Sequence, residues 1–470
     1  MTRRRAVFSG AVISAVSLAF PAAVLGHSLS ATYTSRLPLA VYLVGAAVTV
    51  ALSFIFVLVR DVRADRPAID AAGSLPPPWI RHGLRVVGLV GWLWILAQGV
   101  IGGSSDATVI TLFVWVYGWV GVAMLSALVG PAWHYLDPFS TLHDIGAWVV
   151  RRLGIAPWDL APYPVWLGRW PAVAGFFVVV WLELVLDASP QTLFIVLLVY
   201  TVLTVALMAQ FGRDEWRSQG ETFTVWFRLL GRMAPFRLVD EDGRVARRPF
   251  ASGLLEPGVS VGDVVIVALA VGSILYDGLS QTQIWYDIFG LPSVAIATGL
   301  FLAFLGIIVA ATLLVTRAVG LAATVAGLLP IAAGYLVAHY LTYLLIDGQR
   351  IVVALSDPLQ QGWDLFGTAF FEPTGDWLPP GLVWTVQLAA VVGGHMLGAW
   401  GGHVVAALEA PSGLTAGQIR ARQVPLALVM VALTTLTLWS LGQAIVVTPD
   451  EVGAAAQAGA AAQVARTALG

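Results

Sequence analysis

The side chains of this 470-residue chain that could carry chemistry are few, and most of them lie in unusual surroundings. Glu183, Asp187, Asp277, His339, His395 and His403 fall inside or at the ends of long apolar stretches. There an ionisable group is costly unless it pairs with another group or serves a solute or proton path. Imidazoles on neighbouring apolar segments can hold a metal or relay a proton, and they can also simply hydrogen-bond one helix to the next. Between Gly393 and His403, three glycines (Gly394, Gly398 and Gly402) recur every four residues and make one smooth helix face for close packing. His395 and His403 are eight residues apart, about 12 Å along a helix axis, so they cannot share one small ion. The spacing instead allows either to pair with His339 on the preceding apolar segment, or with a carboxylate. We expect His339 and His395 to form one site, with Asp357 or Asp364 nearby and copper or zinc as the metals such ligands suit. Haem b needs two axial histidines at matched depth, and those of His339 and His395 match poorly.

Other motifs are weighed in the same way. His27 follows Gly26, where the run Arg3 to Leu25 reads as a signal peptide or signal anchor. If cleaved there, its amine and imidazole would make a copper chelate. Gly258-Val259-Ser260-Val261-Gly262 matches the G-x-S-x-G nucleophile elbow, but no strand precedes it, and Ser260 with Asp263 reads as a capping box. His134, Asp137, His143 and Asp144 could build a metal or phosphate-ester site. A turn at Leu136-Asp137-Pro138, with Ser140 as helix cap, explains the same residues.

Several chemistries are excluded outright. The chain has no cysteine, which removes Fe-S clusters, c-type haem and thiolate metal sites. It has no lysine either, so the P-loop and a retinal Schiff base are absent. No H-E-x-x-H occurs. Nor is there a basic tract with interleaved aromatics, so no nucleic acid partner is expected.

The elements that must position these residues are set by composition. With 58% hydrophobic and 11% charged residues, the lipid bilayer is the main solvent. Apolar stretches of spanning length recur at 38–60, 84–101, 107–130, 169–187, 191–211, 261–280, 292–316, 319–345, 382–408 and 423–447. The fold class is therefore all-α, a polytopic bundle of about ten transmembrane helices after the N-terminal signal. The alternating pattern of a membrane barrel is missing. Of the 25 arginines, all but Arg36, Arg350 and Arg466 fall on the same set of alternate loops, which places those loops in the cytoplasm and both mature termini outside the plasma membrane. On this topology 131–168 and 212–260 are cytoplasmic, 346–381 is an acidic external loop, and 448–470 is an external alanine-rich tail.

A family resemblance rests on specific wording. Its elements are Gly130-Pro131-Ala132-Trp133, Asp137-Pro138-Phe139-Ser140-Thr141-Leu142-His143, Trp170-Pro171-Ala172 with Trp181-Leu182-Glu183-Leu184, and Gly334-Tyr335 through Ala338-His339-Tyr340. Gly348-Gln349-Arg350, Ser356-Asp357-Pro358-Leu359, Asp364-Leu365-Phe366-Gly367-Thr368 and Gly394-His395 continue it. Over roughly residues 38–445 the chain resembles an actinobacterial family of multi-pass membrane proteins labelled fenitrothion hydrolase, after a membrane-associated organophosphate-degrading activity. The resemblance implies that His339, Arg350, Asp357, Asp364 and His395 belong to shared motifs; His403 lies outside it. Three functions stay open: a membrane-embedded metal-dependent hydrolase, a transporter or permease with an intramembrane histidine site, and a non-catalytic subunit of a membrane complex.

Overall fold

A computed structural model describes residues 73–101, 109–154 and 161–441. The signal segment 1–26, His27, the span expected at 38–60 and the tail 448–470 lie outside the described residues.

The chain is an all-α polytopic membrane protein. Its long apolar helices are α1 (Pro78–Ile101), α2 (Val109–Leu128), α3 (Trp170–Leu184), α4 (Pro190–Phe211), α5 (Val261–Ser280), α6 (Val294–Val319), α7 (Leu321–Ile346), α8 (Pro380–Leu408) and α9 (Ala416–Leu441). All but the shorter α3 are long and apolar enough to cross a bilayer. The helices start where the backbone chemistry says they should. Pro190 opens α4 behind a Ser189 hydroxyl that accepts from the Thr192 amide, and Ser260 with Asp263 forms the expected capping box at α5. A single residue, Gly320 at φ 93°, turns the chain from α6 into α7, a backbone conformation a side chain would strain.

Burial divides the helices into a centre and a rim. Helices α5 and α7 are enclosed along most of their length, whereas α1, α4 and α6 expose apolar faces such as Val86, Val87 and Val90, or Leu198, Val199 and Val202. In lipid, such faces are the solvent-exposed ones. The closest packing joins α7 to α8. A Cβ at Gly334 would stand 2.5 Å from the Ala390 carbonyl oxygen and one at Gly394 2.5 Å from that of Pro330, while Gly398 faces the Gly327 carbonyl. The four-residue glycine spacing is therefore a contact face, and Pro330 lies inside α7 opposite it.

Helix α2 departs from the expected regular span. From Leu112 to Val122 it runs as a π-helix, a wider coil that is rare beyond one turn and is frequent at functional sites. The expected external loop also begins later than residue 346, because a 3₁₀ turn at Asp347–Arg350 and a helix at Ile351–Ser356 extend α7. At the arginine-rich end lie the helices Pro138–Arg152, Arg213–Gln219 and Thr222–Leu230 and an antiparallel pair, β1 (Phe236–Leu238) and β2 (Val245–Arg247), in which Arg237 faces Ala246; Arg217 and Arg228 reach Glu241 in its turn. The cap of Pro138–Arg152 is Asp137, which accepts from the Phe139 and Ser140 amides; Ser140 is not the cap, and its hydroxyl donates to Asp137 instead.

Candidate functional site

Three helices bring ionisable side chains together near the end of the bundle opposite the arginines. Helices α3, α5 and α7 all start at the arginine-rich end, so the last third of each reaches the same depth. This puts Glu183, Asp277 and His339 side by side. His339 Nε2 lies 2.6 Å from Asp277 Oδ2, and the Tyr340 hydroxyl stands 3.4 Å from Glu183 Oε1. The indole of Trp119, presented by the π-helical part of α2, stands beside Glu183. The rings of His339 and Tyr340 meet edge to face at 4.6 Å, and Tyr340 leads on to Tyr343. Side-chain exposures of 10% for His339 and 13% for Asp277 leave the pair shielded but not sealed.

This is a set of two carboxylates, one imidazole and a phenol, contributed by three helices within a low-dielectric layer. A proton added to it can be shared between Asp277 and His339, with Glu183 and Tyr340 as neighbours on the same path. Such intramembrane carboxylate and histidine chains are the usual material of proton relays. Asp187 is not part of the set. It is exposed and lies past the end of α3, in the left-handed region at φ 45°.

His395 is not brought to His339. The contacts Gly334 to Ala390 and Gly394 to Pro330 fix the antiparallel register of α7 and α8, so His395 sits level with Pro330. His339 is nine residues further along, about 13 Å of helix rise. The partners differ accordingly. His395 is fully buried, its Nδ1 2.8 Å from the Val391 carbonyl and its Nε2 against the Thr434 hydroxyl of α9. Both ring nitrogens are thus engaged by the protein, one within α8 and one across to α9. His403 is likewise buried, with Nδ1 2.6 Å from Gln423 Oε1.

The acidic loop residues shape the loop itself. Asp357 accepts from the Gln361 and Gly362 amides, and Asp364 from the Ser356 hydroxyl and the Ala369 amide. Those hydrogen bonds, the one from Ala369 foremost, hold the Asp364 carboxyl below its ordinary range. Arg350 is exposed and lies 3.4 Å from Asp347, one turn away. The loop rests on α1, where Trp94 and Gln98 donate to the Pro358 carbonyl. Among the described residues, no three of histidine, aspartate and glutamate gather closely enough to hold a metal ion.

At the arginine-rich end the structure adds ion pairs that no motif announced. Asp263, besides capping α5, pairs with Arg169, and buried Arg217 lies 3.1 Å from Asp137. Glu221, fully buried, accepts from the Phe223 and Thr224 amides and from the Tyr200 hydroxyl, while burial raises its carboxyl above the ordinary range. Asp144 accepts from Arg213 rather than joining a metal site with His134. The signal for these pairs was present only as charge in loops, without spacing to say which acid meets which arginine.

Compared with known proteins, the chain matches no family model, no curated protein and no solved structure.

Proposed function

We propose that this chain is a proton-coupled transporter of the plasma membrane, with Asp277, His339 and Glu183 as its proton-carrying site. The observation that supports this reading most directly is the Asp277–His339 pair at 2.6 Å within the spanning helices, with Glu183 and Tyr340 beside it. Transport needs a group whose charge can change in the membrane at modest cost, and a histidine–carboxylate pair provides one because the proton moves between partners instead of leaving a bare charge. On the arginine rule the set faces the external half of the bilayer.

The test uses purified protein in liposomes loaded with a pH-sensitive dye. Small solutes are supplied one at a time across an imposed proton gradient. At least one solute should drive proton movement, and Asp277→Asn and His339→Ala should each abolish it while the helical content is kept. Chelators should leave the flux unchanged. Proton movement that persists in both variants would overturn the assignment of the site.

The family resemblance favours a second reading, a hydrolase of phosphotriesters. The same pair could then act as a general base, His339 taking a proton from water while Asp277 orients the ring. Hydrolysis of fenitrothion by the purified protein, lost in His339→Ala and unaccompanied by proton flux in liposomes, would select this reading over transport.

A further inference from the structure

A cavity of about 230 Å³ opens between the Thr222–Leu230 helix, the β1–β2 hairpin and the end of α2, at the pole opposite the Asp277–His339 pair. Five guanidinium groups line it: Arg217, Arg228, Arg232, Arg237 and Arg248. Against them stand Asp240, Glu241 and Glu256. Most of these acids are already committed. Glu241 takes both oxygens to Arg228 at 2.7 Å, Glu256 pairs with Arg248 at 2.8 Å, and Asp240 pairs with Arg244, which is not part of the wall.

Two arginines are left over. Among the described residues, Arg232 donates only to neutral carbonyls, those of Glu256 and Pro257, at 2.9 and 3.0 Å. Arg237 has Glu256 at 3.9 Å, beyond hydrogen-bond distance, and its buried Nε has no partner among the described residues. A second orphan points the same way. Ser126 is 1% exposed, lines the cavity, and its hydroxyl has no partner among the described residues. A buried polar group of that kind costs free energy until something bonds to it.

We infer that this cavity binds a phosphate group, with Arg232 and Arg237 supplying the charge and Ser126 a hydrogen bond. A phosphate dianion matches the two uncompensated guanidinium groups, whose planar forks suit its oxygens. His134 adds to the fit from the wall. Burial foremost, and then Arg217, hold its pKa down to about 2, so it is neutral and adds no further positive charge. The same chemistry serves two sources, the headgroup of a phosphomonoester lipid and a soluble phosphate.

The whole protein in detergent is titrated with inorganic phosphate, against chloride at equal ionic strength, and thermal unfolding is followed. Saturable stabilisation by phosphate is expected. Arg232→Gln and Arg237→Gln should each weaken it roughly tenfold or more, the loss of a charge-assisted hydrogen bond. Ser126→Ala should weaken it less, and because alanine is smaller and apolar this variant keeps the test valid if an arginine variant misfolds. Arg151→Gln, exposed at the same end but outside the wall, should leave binding intact. A second arm repeats the titration in nanodiscs of phosphatidylcholine with and without phosphatidic acid. If phosphatidic acid abolishes the phosphate response, the site is occupied by the lipid; if the response is equal in both discs, the ligand is soluble. Absence of saturable stabilisation by either source would overturn the inference, as would binding indifferent to Arg237→Gln and Ser126→Ala.

Discussion

At the scale of single residues, the two intramembrane histidines differ in their partners. His339 faces a carboxylate on another helix, whereas His395 spends both nitrogens on a backbone carbonyl and a threonine hydroxyl. Asp277→Asn should therefore destabilise the protein by about 3 kcal/mol or less and abolish function, while His395→Gln should lower stability and spare function. Chemical unfolding and flux measured on the same liposomes separate the two outcomes. His134 supports a pH prediction. Its folded pKa is depressed to about 2 from an ordinary 6.5 by burial and by Arg217. Between those values the unfolded chain binds a proton that the folded chain does not, so stability falls as pH drops below 6.5, by up to about 1.4 kcal/mol per pH unit. Thermal unfolding at pH 7 and pH 5.5 should show a shallower slope in His134→Gln than in the native protein, the difference being the contribution of this one imidazole. The sequence made both His339 and His395 conspicuous, since each is ionisable in an apolar run. It could not say which had a carboxylate across from it, because Asp277 lies on a helix two spans earlier and no local spacing links them.

At the scale of elements, spanning lengths and glycine spacing were legible because a bilayer dictates the first and helix geometry the second. The depth of each histidine was not, because register between α7 and α8 is set by which glycine meets which carbonyl. Gly394 packs on Pro330, Gly398 on Gly327, and Gly402 more loosely between Leu426 and Ala323, where a Cβ would stand at 3.2 to 3.4 Å. Gly393, one residue round the helix, faces open space, and a Cβ there would meet nothing within 4 Å. Gly394→Ala and Gly398→Ala should each cost about 1–3 kcal/mol through overpacking. Gly402→Ala should be milder, and Gly393→Ala neutral or stabilising by up to about 1 kcal/mol through helix propensity. Loss of helicity on titration with a denaturing detergent would rank the four, and equal loss at Gly393 and Gly398 would refute the packing face. The π-helical course of α2 had no sequence signal at all. Its consequence is the placing of Trp119 against Glu183, which a regular helix would present at a different angle.

At the scale of the whole molecule, the two poles differ in kind. One end gathers arginines into ion pairs and a cavity, and the other gathers two carboxylates and a histidine between spanning helices. Alternation explains much of this, since helices α3, α5 and α7 run in one direction and so bring Glu183, Asp277 and His339 to one depth whatever the details of packing. The same alternation allows the direction of the chain across the membrane to be tested. Arginine is kept on the cytoplasmic side during insertion, so the arginine-rich pole should face the cytoplasm and the 356–369 loop the exterior. Ser412, between α8 and α9, and Gln361, in the acidic loop, are both exposed and lie at opposite poles. The chain contains no cysteine, so Ser412→Cys and Gln361→Cys each introduce a single thiol into a blank background. An impermeant maleimide applied to intact cells should label the thiol at 361 and not the one at 412, and lysis should expose both. Labelling at 412 alone in intact cells would invert the molecule. The proposed proton-carrying set would then open to the cytoplasm, and the cavity proposed to bind phosphate would face outside, where a soluble phosphate rather than a cytoplasmic-leaflet lipid would be the ligand to test first.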